Sequence, residues 1–282
     1  MVALTSRMIE SYRVDGFVHP VRVIEEATAA DLRCAVDEHL QGELPSDAYE
    51  LTDPIVIDVS ETRDGRRLSY RTGGRTEPRT FPFLFNVWRV DERFRRVAFD
   101  PAIAAAARVL LDCDELLLME DNIIVKYPHT GALPWHQDLG YWPFTEPDAV
   151  TVWIALDPMS PANGGMQLVP GSQRGEEGLP VDFGTGAPLL GSERPGVPEV
   201  PRDPAGDGHP IVSYVLAPGE AGLHHPLVWH GSTPNASEAL RCAYALRYLR
   251  SGTVWWGHRR MPYDEIGCAI GDRVDGRHFP VV

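Results

Sequence analysis

Cysteine is scarce in this 282-residue chain, and the four cysteines are scattered. Cys34, Cys113, Cys242 and Cys268 form no Cys-x-x-Cys pair. The sequence therefore indicates neither a disulfide framework nor a zinc site built from thiolates. This cysteine usage is typical of a reducing compartment, and we expect the protein to be cytoplasmic.

Long apolar runs are also missing from the sequence. No stretch reaches the roughly 18 residues that a membrane-spanning helix needs. The N-terminal segment MVALTSRMIESYRVDGF lacks the apolar core of a signal peptide. The sequence therefore predicts a soluble protein that is not exported and has no membrane partner.

Positive charge is in short supply, because 26 Lys and Arg residues stand against 40 Asp and Glu, a formal net charge of −14. Such a charge repels phosphate backbones and attracts cations. We therefore expect a small-molecule substrate and no nucleic-acid partner. The sequence does not indicate the oligomeric state. Lys126 is the only lysine, and a solvated side chain is its default interpretation.

The first part of the chain carries helical patterns, and residues 1–115 are predicted to form a helical scaffold within a single domain, residues 1–282. We expect a helix around Leu4 to Tyr12, an extended piece from Gly16 to Val23, and a second helix with Thr28 as its N-cap. Residues 101–111 are predicted to form a third helix, because they begin with proline, which is favourable at the first position of a helix.

From residue 121 the pattern changes to short runs rich in β-branched and aromatic residues, each bounded by turn residues. These predicted strands are 122–127, 150–156, 165–169, 209–216, 222–229 and 242–249. The pattern predicts a mainly β protein with flanking helices, whose core, about residues 120–250, is a double-stranded β-helix, the cupin-like jelly roll. Residues 174–210 are rich in glycine and proline and too long for an ordinary connection, so they are expected to be a substrate lid or a flexible excursion.

Two histidines and an aspartate provide a candidate metal site. His136 and Asp138 lie two residues apart after a predicted strand, and in an extended chain such residues project to the same face. The pair alone is weak evidence, because hydrogen-bonded His and Asp pairs are common in protein cores. It gains weight from His230, which ends a later strand.

The segment LHHPLVWHGSTPNASEALR, residues 223–241, places Arg241 after a turn that follows His230. We expect a hairpin that brings Arg241 beside His230. Two histidines and one carboxylate leave three positions of an iron open, enough for a 2-oxo acid and dioxygen. A guanidinium suits the distal carboxylate of such an acid.

Three nearby residues compete for roles in this site. His224 and His225 are predicted to lie on the strand that delivers His230, about 17–20 Å upstream of it and too far to replace it as a ligand. Structural histidines are the preferred interpretation, and the alternative is that one of them faces the pocket. Arg247 would face the same side of a strand as Arg241, because side chains alternate between the two faces. It is therefore an alternative contact for substrate or co-substrate.

The chain resembles the phytanoyl-CoA dioxygenase family in several motifs. These are DNIIVKYP from Asp121, WHQDLGYWPF over 135–144, and VWIALDPMSPANGGMQLVPGS over 152–172. The spacing of His230, Ser232 and Arg241 is similar to the distal motif of that family. The resemblance covers about residues 120–250, with a weaker match around Asp15 to Phe17.

The resemblance implies that His136, Asp138 and His230 bind Fe(II), that Arg241 pairs with the distal carboxylate of 2-oxoglutarate, and that Ser232 donates a hydrogen bond to it. Further contacts with 2-oxoglutarate are implied for Asn122, Trp153 and Gln137, and for Trp153 a barrel-core role is an equal alternative. The aromatic residues near the ligands are candidates for the pocket wall or for plain core packing: Tyr141, Trp142, Phe144 and Trp229.

The implied activity is that of a non-haem Fe(II)- and 2-oxoglutarate-dependent dioxygenase, assisted in vitro by ascorbate, that oxidises a C–H bond with O2. Asp138 argues against halogenation, since halogenating relatives lack that carboxylate. The acidic charge favours a small, polar natural product that is neutral or cationic, such as an amino sugar or amino acid derivative, over an acyl-CoA. The alternatives are an acyl-CoA hydroxylase, a metal-binding cupin-like module without turnover, and a zinc or manganese hydrolase.

Overall fold

The computed structural model describes residues 2–41, 55–58, 69–72, 82–181, 183, 187–188, 196–257 and 266–282. Its helices are α1 (Ser6–Asp15), α2 (Glu26–Gln41), α3 (Glu92–Ala98) and α4 (Pro101–Leu111). Its strands are β1 (Phe17–Arg22), β2 (Ile55–Asp58), β3 (Ser69–Thr72), β4 (Pro82–Phe85), β5 (Leu116–Lys126), β6 (Leu133–His136), β7 (Ala149–Ala155), β8 (Met166–Leu168), β9 (Val212–Ser213), β10 (Glu220–His224), β11 (His230–Ser232) and β12 (Arg241–Arg250).

The helix ends follow local capping chemistry. In α1, the Thr5 side chain accepts a hydrogen bond from the Met8 amide, and Gly16 ends the helix in the left-handed conformation at φ 84°. The prediction of α4 over residues 101–111 is confirmed, with Asp100 capping its first amides. The prediction of Thr28 as a cap is wrong, since α2 already begins at Glu26.

The strands form two antiparallel sheets. The larger has the order β1-β10-β7-β12-β5-β4-β2-β3, and the smaller has the order β6-β11-β8-β9. Together they form a jelly roll, which confirms the predicted fold class. The extended piece predicted over Gly16 to Val23 is confirmed as β1. The N-terminal part is otherwise less helical than predicted, because β2 to β4 add three further strands to the larger sheet.

The central strands β5, β7 and β12 are buried on both faces. On their outer face, residues such as Val125, Val152 and Tyr244 pack in one cluster with helix residues that include Leu32 and Ile103. On their inner face, small and apolar residues pack against the smaller sheet, and this second cluster contains Ile124, Trp153, Ala155, Leu168, Ala243 and Ala245. The alternation of side chains along each strand therefore separates a helix-facing core from the barrel interior.

Inside the barrel, β10 and the segment after β9 approach each other closely at Gly222. A Cβ atom at this position would overlap the ring of Tyr214, which is fully buried. Gly222 is therefore required for packing the Tyr214 ring against the strand that carries His224. No helix in the described part of the chain combines the length and apolarity needed to cross a bilayer.

We predict that Gly222→Ala lowers the free energy of unfolding by about 1–3 kcal/mol, because a methyl group must be forced into a closely packed core. Gly131→Ala is the matched control, since a Cβ there meets nothing within 4 Å. Urea denaturation of both variants measures the difference. Equal stability of the two variants would show that the Tyr214 ring moves aside without cost.

Candidate active site

The structure brings together His136, Asp138 and His230. His136 ends β6 and His230 begins β11, and the two are direct partners in antiparallel register with ring centres 4.1 Å apart. One donor atom from each of the three residues lies within 4.8 Å of the others, and all three side chains are buried. Two imidazoles and a carboxylate in this arrangement suit Fe(II) with positions left for other ligands.

Asp138 reaches the site by a different route from the predicted one. Its backbone is helical, at φ −65° and ψ −40°, and it opens a 3-10 turn at Leu139–Tyr141. The expectation that His136 and Asp138 share the face of one extended strand is therefore wrong. The strand ends at His136, and the turn directs the carboxylate back toward the histidines.

The two histidines are oriented by their own backbone. Nδ1 of His136 lies 2.8 Å from the Pro134 carbonyl oxygen, and Nδ1 of His230 lies 2.9 Å from that of Val228. Because a carbonyl only accepts, each Nδ1 carries the proton, and each Nε2 offers a lone pair to a metal. Burial lowers the pKa of both imidazoles, so they are neutral ligands.

The charge of Asp138 is maintained by its neighbours. Burial alone would raise the pKa of this carboxyl, but the Arg247 guanidinium, followed by the His230 and His224 side chains, holds the pKa well below its ordinary value. Thr151 Oγ1 donates a hydrogen bond to Oδ2 at 3.0 Å. The carboxylate is therefore ionised and available to a cation.

His224 faces this site, which agrees with the alternative for one of the two histidines and not with the preferred interpretation as structural histidines. Its Nε2 lies 3.5 Å from Asp138 Oδ2, and its ring centre is 5.0 Å from that of His230. The predicted strand 222–229 is not continuous, since β10 ends at His224 and the chain turns before β11 begins at His230. Because of this turn, the His224 side chain lies near His230, whereas a continuous extended strand would place the two far apart. The turn signal was Pro226, which follows the two histidines directly.

Arg241 and Ser232 lie in a second polar cluster that also contains Lys126. Arg241 and Lys126 are direct partners on β12 and β5. Lys126 Nζ donates to Ser232 Oγ at 2.7 Å and to the Thr233 carbonyl. The predicted hairpin between His230 and Arg241 is wrong, because β11 and β12 belong to different sheets. Lys126 spans the interior between those sheets.

The default interpretation of Lys126 as a solvated side chain is also wrong. Lys126 is 0% exposed, and burial, aided by the charge of Arg241, lowers its pKa to about 6. Two basic side chains are thus placed side by side in the interior, and a bound anion would favour the charged form of both. Its status as the only lysine in an arginine-rich chain was the available signal.

Several predicted co-substrate residues have buried polar atoms without a protein partner. Within the described residues, no hydrogen-bond partner is found for Arg241 Nε and Nη1, Trp153 Nε1, or either amide atom of Asn122. The Arg241 guanidinium carbon lies 5.8 Å from the Trp153 ring centre, so this side chain leans toward the middle of the barrel. Unpaired buried polar groups are costly. The residues present therefore fit an anionic, polar ligand such as 2-oxoglutarate.

Gln137 and Tyr141 connect the ligand segment to the predicted lid. Gln137 accepts a hydrogen bond from the Gly178 amide at 2.6 Å and donates to the Leu227 carbonyl at 2.8 Å. Tyr141 bonds the backbone of Val181 and stacks on Phe183, whose ring also packs 4.8 Å from His136. The start of the 174–210 segment thus covers one side of the site. The observed bonds of Gln137 are to protein backbone, and a contact with co-substrate stays a prediction.

The other predicted wall residues are distributed differently. Trp142 and Phe144 are buried in an apolar cluster with Leu117, Leu249 and Phe279, although Arg247 lies over the Trp142 ring at 5.8 Å. Trp229 packs against His209, at 5.2 Å between ring centres. For Phe144 and Trp229 these contacts favour packing over a place in the pocket wall. Arg247 points into the metal site, 3.7 Å from Asp138 Oδ1.

A protein-family model described as phytanoyl-CoA dioxygenase (PhyH) matches residues 12–243. L-proline trans-4-hydroxylase of Streptomyces griseoviridis is 32% identical over 183 residues, 57% of this chain and 64% of that protein. A probable phytanoyl-CoA dioxygenase of Caenorhabditis elegans is 30% identical over 138 residues, 47% of this chain and 42% of the relative. The chain thus spans less than two thirds of either relative.

Two solved structures cover nearly the whole chain. The non-haem α-ketoglutarate-dependent carbocyclase SnoK from nogalamycin biosynthesis has a TM-score of 0.72 and 22% identity, covering 99% of this chain and 96% of its own. The epimerase SnoN, in complex with Fe3+, α-ketoglutarate and nogalamycin RO, has a TM-score of 0.70 and 21% identity, covering 98% and 97%. At these identities the likeness shows the fold.

The lowered imidazole pKa values predict the pH dependence of metal binding. Protons compete with a metal only below the pKa of the free ligand. Since the pKa values of His136 and His230 lie below 6.5, we expect the midpoint of the acid-induced loss of Co(II) affinity to lie below pH 6.5. Titrations between pH 5 and 8 measure this, and a half-maximal loss at pH 6.5 or above would contradict it.

Proposed function

The chain belongs to the phytanoyl-CoA dioxygenase family, and from that premise we propose that it is a non-haem Fe(II)- and 2-oxoglutarate-dependent oxygenase. The substrate we propose is a small, polar natural product with an unactivated C–H bond. The preferred outcome is hydroxylation, with a ring-forming oxidation as the related alternative. The presence of Asp138 argues against halogenation, for which an open ligand position would be needed.

The observation that supports this proposal is that the barrel interior contains two polar sites of different charge. One contains three neutral or anionic metal ligands, His136, Asp138 and His230. The other contains the buried basic side chains of Arg241 and Lys126. A five-carbon dicarboxylate that chelates a metal at one end places its other carboxylate toward a guanidinium. A cupin-like binding module needs only the first site.

In the proposed reaction, bound Fe(II) and 2-oxoglutarate supply the oxidising chemistry, in which O2 is consumed, succinate and CO2 are formed, and a substrate C–H bond is oxidised. The protein contributes geometry and charge. His136 and His230 present Nε2, and Arg241, Lys126 and Ser232 hold the distal carboxylate. Tyr141 and Phe183 shield His136 from water on the side of the 174–210 segment.

Charge and comparisons both support the proposed substrate class. The chain carries a formal net charge of −14, which favours neutral or cationic molecules over a polyanion such as an acyl-CoA. Structures similar to this chain include a carbocyclase and an epimerase from nogalamycin biosynthesis, and a similar sequence hydroxylates L-proline. We therefore infer a tailoring role in bacterial secondary metabolism, with amino acid derivatives and amino sugars as first candidates.

The proposed activity predicts release of succinate from 2-oxoglutarate that needs Fe(II) and O2 and rises with the correct substrate. His136→Ala should abolish it because a metal ligand is lost. The control His129→Ala should retain it, since His129 is exposed and lies outside the site. A substrate panel of amino acid derivatives, amino sugars and acyl-CoA thioesters compares the substrate classes by mass spectrometry.

Other outcomes of that assay point elsewhere. Acyl-CoA turnover alone would support the acyl-CoA hydroxylase alternative. Metal binding without succinate release would favour a binding module. Product formation under anaerobic conditions would favour a hydrolase.

The buried lysine leads to a second prediction for this function. Lys126→Met should weaken 2-oxoglutarate binding about 10- to 100-fold, because a hydrogen bond to a charged group contributes roughly 1.5–3 kcal/mol. Arg96→Met is the control, since Arg96 is a mostly exposed arginine on α3. Isothermal titration with Co(II)-loaded protein measures the binding, and equal affinity in both variants would contradict the assignment.

The same variant should change the pH dependence of stability. The pKa of Lys126 is about 6 in the folded protein, against an ordinary value of 10.5 in the unfolded chain. The unfolded chain therefore binds this proton more strongly, and the resulting loss of stability grows as the pH falls from 10.5 to 6 and stays constant below 6. Relative to wild type, the Tm of Lys126→Met should therefore rise as pH falls toward 6. A constant Tm difference from pH 6 to 10 would contradict the lowered pKa.

A further inference from the structure

Four buried polar side chains form a row across the larger sheet, directly beside Asp138. In strand order they are His224 on β10, Thr151 on β7, Arg247 on β12 and Glu120 on β5. The register makes each a direct partner of the next, since His224 and Arg247 both pair with Thr151, and Arg247 also pairs with Glu120. Directly paired residues of antiparallel strands project to the same face. All four therefore point into the barrel.

The row contacts the two oxygens of Asp138 differently. Thr151 Oγ1 donates to Oδ2 at 3.0 Å, and His224 Nε2 lies 3.5 Å from the same oxygen. Oδ1 lies 3.7 Å from His230 Nε2. The row thus holds one oxygen, and the other faces the metal ligands.

Within the described part of the chain, the Asp138 side chain has little other restraint. It opens the turn at Leu139–Tyr141, but its carboxylate makes no capping hydrogen bond to that turn. Rotation about its side-chain bonds would exchange the two oxygens or turn both toward the cavity. The contacts with Thr151 and His224 oppose this rotation.

Arg247 is held back from Asp138 by Glu120. Its Nη1 lies 2.9 Å from Glu120 Oε1, whereas its Nη2 lies 3.7 Å from Asp138 Oδ1. The shorter contact is the stronger one, because Coulomb energy falls with distance. The guanidinium therefore stabilises the negative charge of Asp138 without occupying the lone pair that a metal would use.

We propose that His224, Thr151, Arg247 and Glu120 are positioning residues that fix Asp138 as a one-oxygen metal ligand. Thr151 and His224 retain Oδ2, Arg247 balances the charge, and Glu120 sets how closely Arg247 approaches. This inference rests on the metal centre of the proposed function. It adds His224, Thr151 and Glu120 to the residues on which that centre depends.

Metal titration tests the row without turnover. Residues that orient metal ligands contribute about 10- to 100-fold to metal affinity. We expect Thr151→Val, which keeps the side-chain shape but removes the donor, to weaken Co(II) binding about tenfold. His224→Gln retains a donor and should bind Co(II) more tightly than His224→Phe.

Glu120→Gln gives the sharpest test because Glu120 is not itself a ligand. Once its charge is removed, Arg247 should move onto Asp138 and compete with the metal, so Co(II) affinity should fall about tenfold. Adding Arg247→Met to Glu120→Gln should recover part of this loss. A residue with a purely structural role would give no such recovery.

Two measurements separate positioning from general damage. Tyr248→Phe is the matched control, since Tyr248 neighbours Arg247 on β12 but donates to the Ala98 carbonyl on the helix side. It should lower Tm and leave Co(II) affinity unchanged. At saturating Co(II), Thr151→Val should bind 2-oxoglutarate as wild type does, because Arg241 and Lys126 are intact.

Three results would contradict the proposed role of the row, the role of His224 within it, or the metal centre itself. Unchanged Co(II) affinity in both Thr151→Val and Glu120→Gln would overturn the row. X-ray absorption that counts three imidazoles on Co(II) in wild type and two in His224→Gln would make His224 a ligand, which also overturns its positioning role. Failure of the wild-type protein to bind Co(II) would instead reject the proposed metal centre.

Discussion

Side-chain alternation along β5, β7, β10 and β12 is the constraint on which the rest of this structure depends. Because every second residue faces the barrel interior, one strand carries both ends of the candidate site. On β12 these are Arg247 beside the metal ligands and Arg241 beside Lys126, with Ala243 and Ala245 between them. The small residues leave space where Asn122 and Trp153 face the interior. A shift of register by one residue would place all of these groups among the helices.

Burying charged side chains in the barrel costs desolvation free energy. The two ends of the site offset that free energy in different ways. Beside the metal ligands, Arg247 lies between Glu120 and Asp138, so opposite charges are already paired. At the other end Arg241 and Lys126 are both basic, and burial lowers the pKa of each, to about 10 and about 6. The first end is organised by the protein alone. The second end is the one that a bound dianion would stabilise.

The sequence was sufficient for the elements that depend on local patterns. Proline at the start of α4, the runs that correspond to β5, β7, β8 and β12, and the spacing of His136, Asp138 and His230 are all local signals, and the structure agrees with each of them. What failed were inferences about where the chain turns. His224 was dismissed because residues 222–229 were treated as one extended strand, and Arg241 was assigned to a hairpin although β11 and β12 lie in different sheets. Lys126 was missed because burial depends on strands distant in sequence.

The connection between the ligand segment and residues 174–183 has a consequence for the Asp138 carboxylate. Gln137, between the ligands His136 and Asp138, is bonded to the backbone of Gly178, and Tyr141 is bonded to that of Val181. Any displacement of this covering segment would pull on the short turn that also carries Asp138. The position of this covering segment and the orientation of the Asp138 carboxylate are therefore connected through one short turn. The row from His224 to Glu120 contacts the same carboxylate from the larger sheet, so the carboxylate lies between that sheet and the turn bonded to the covering segment.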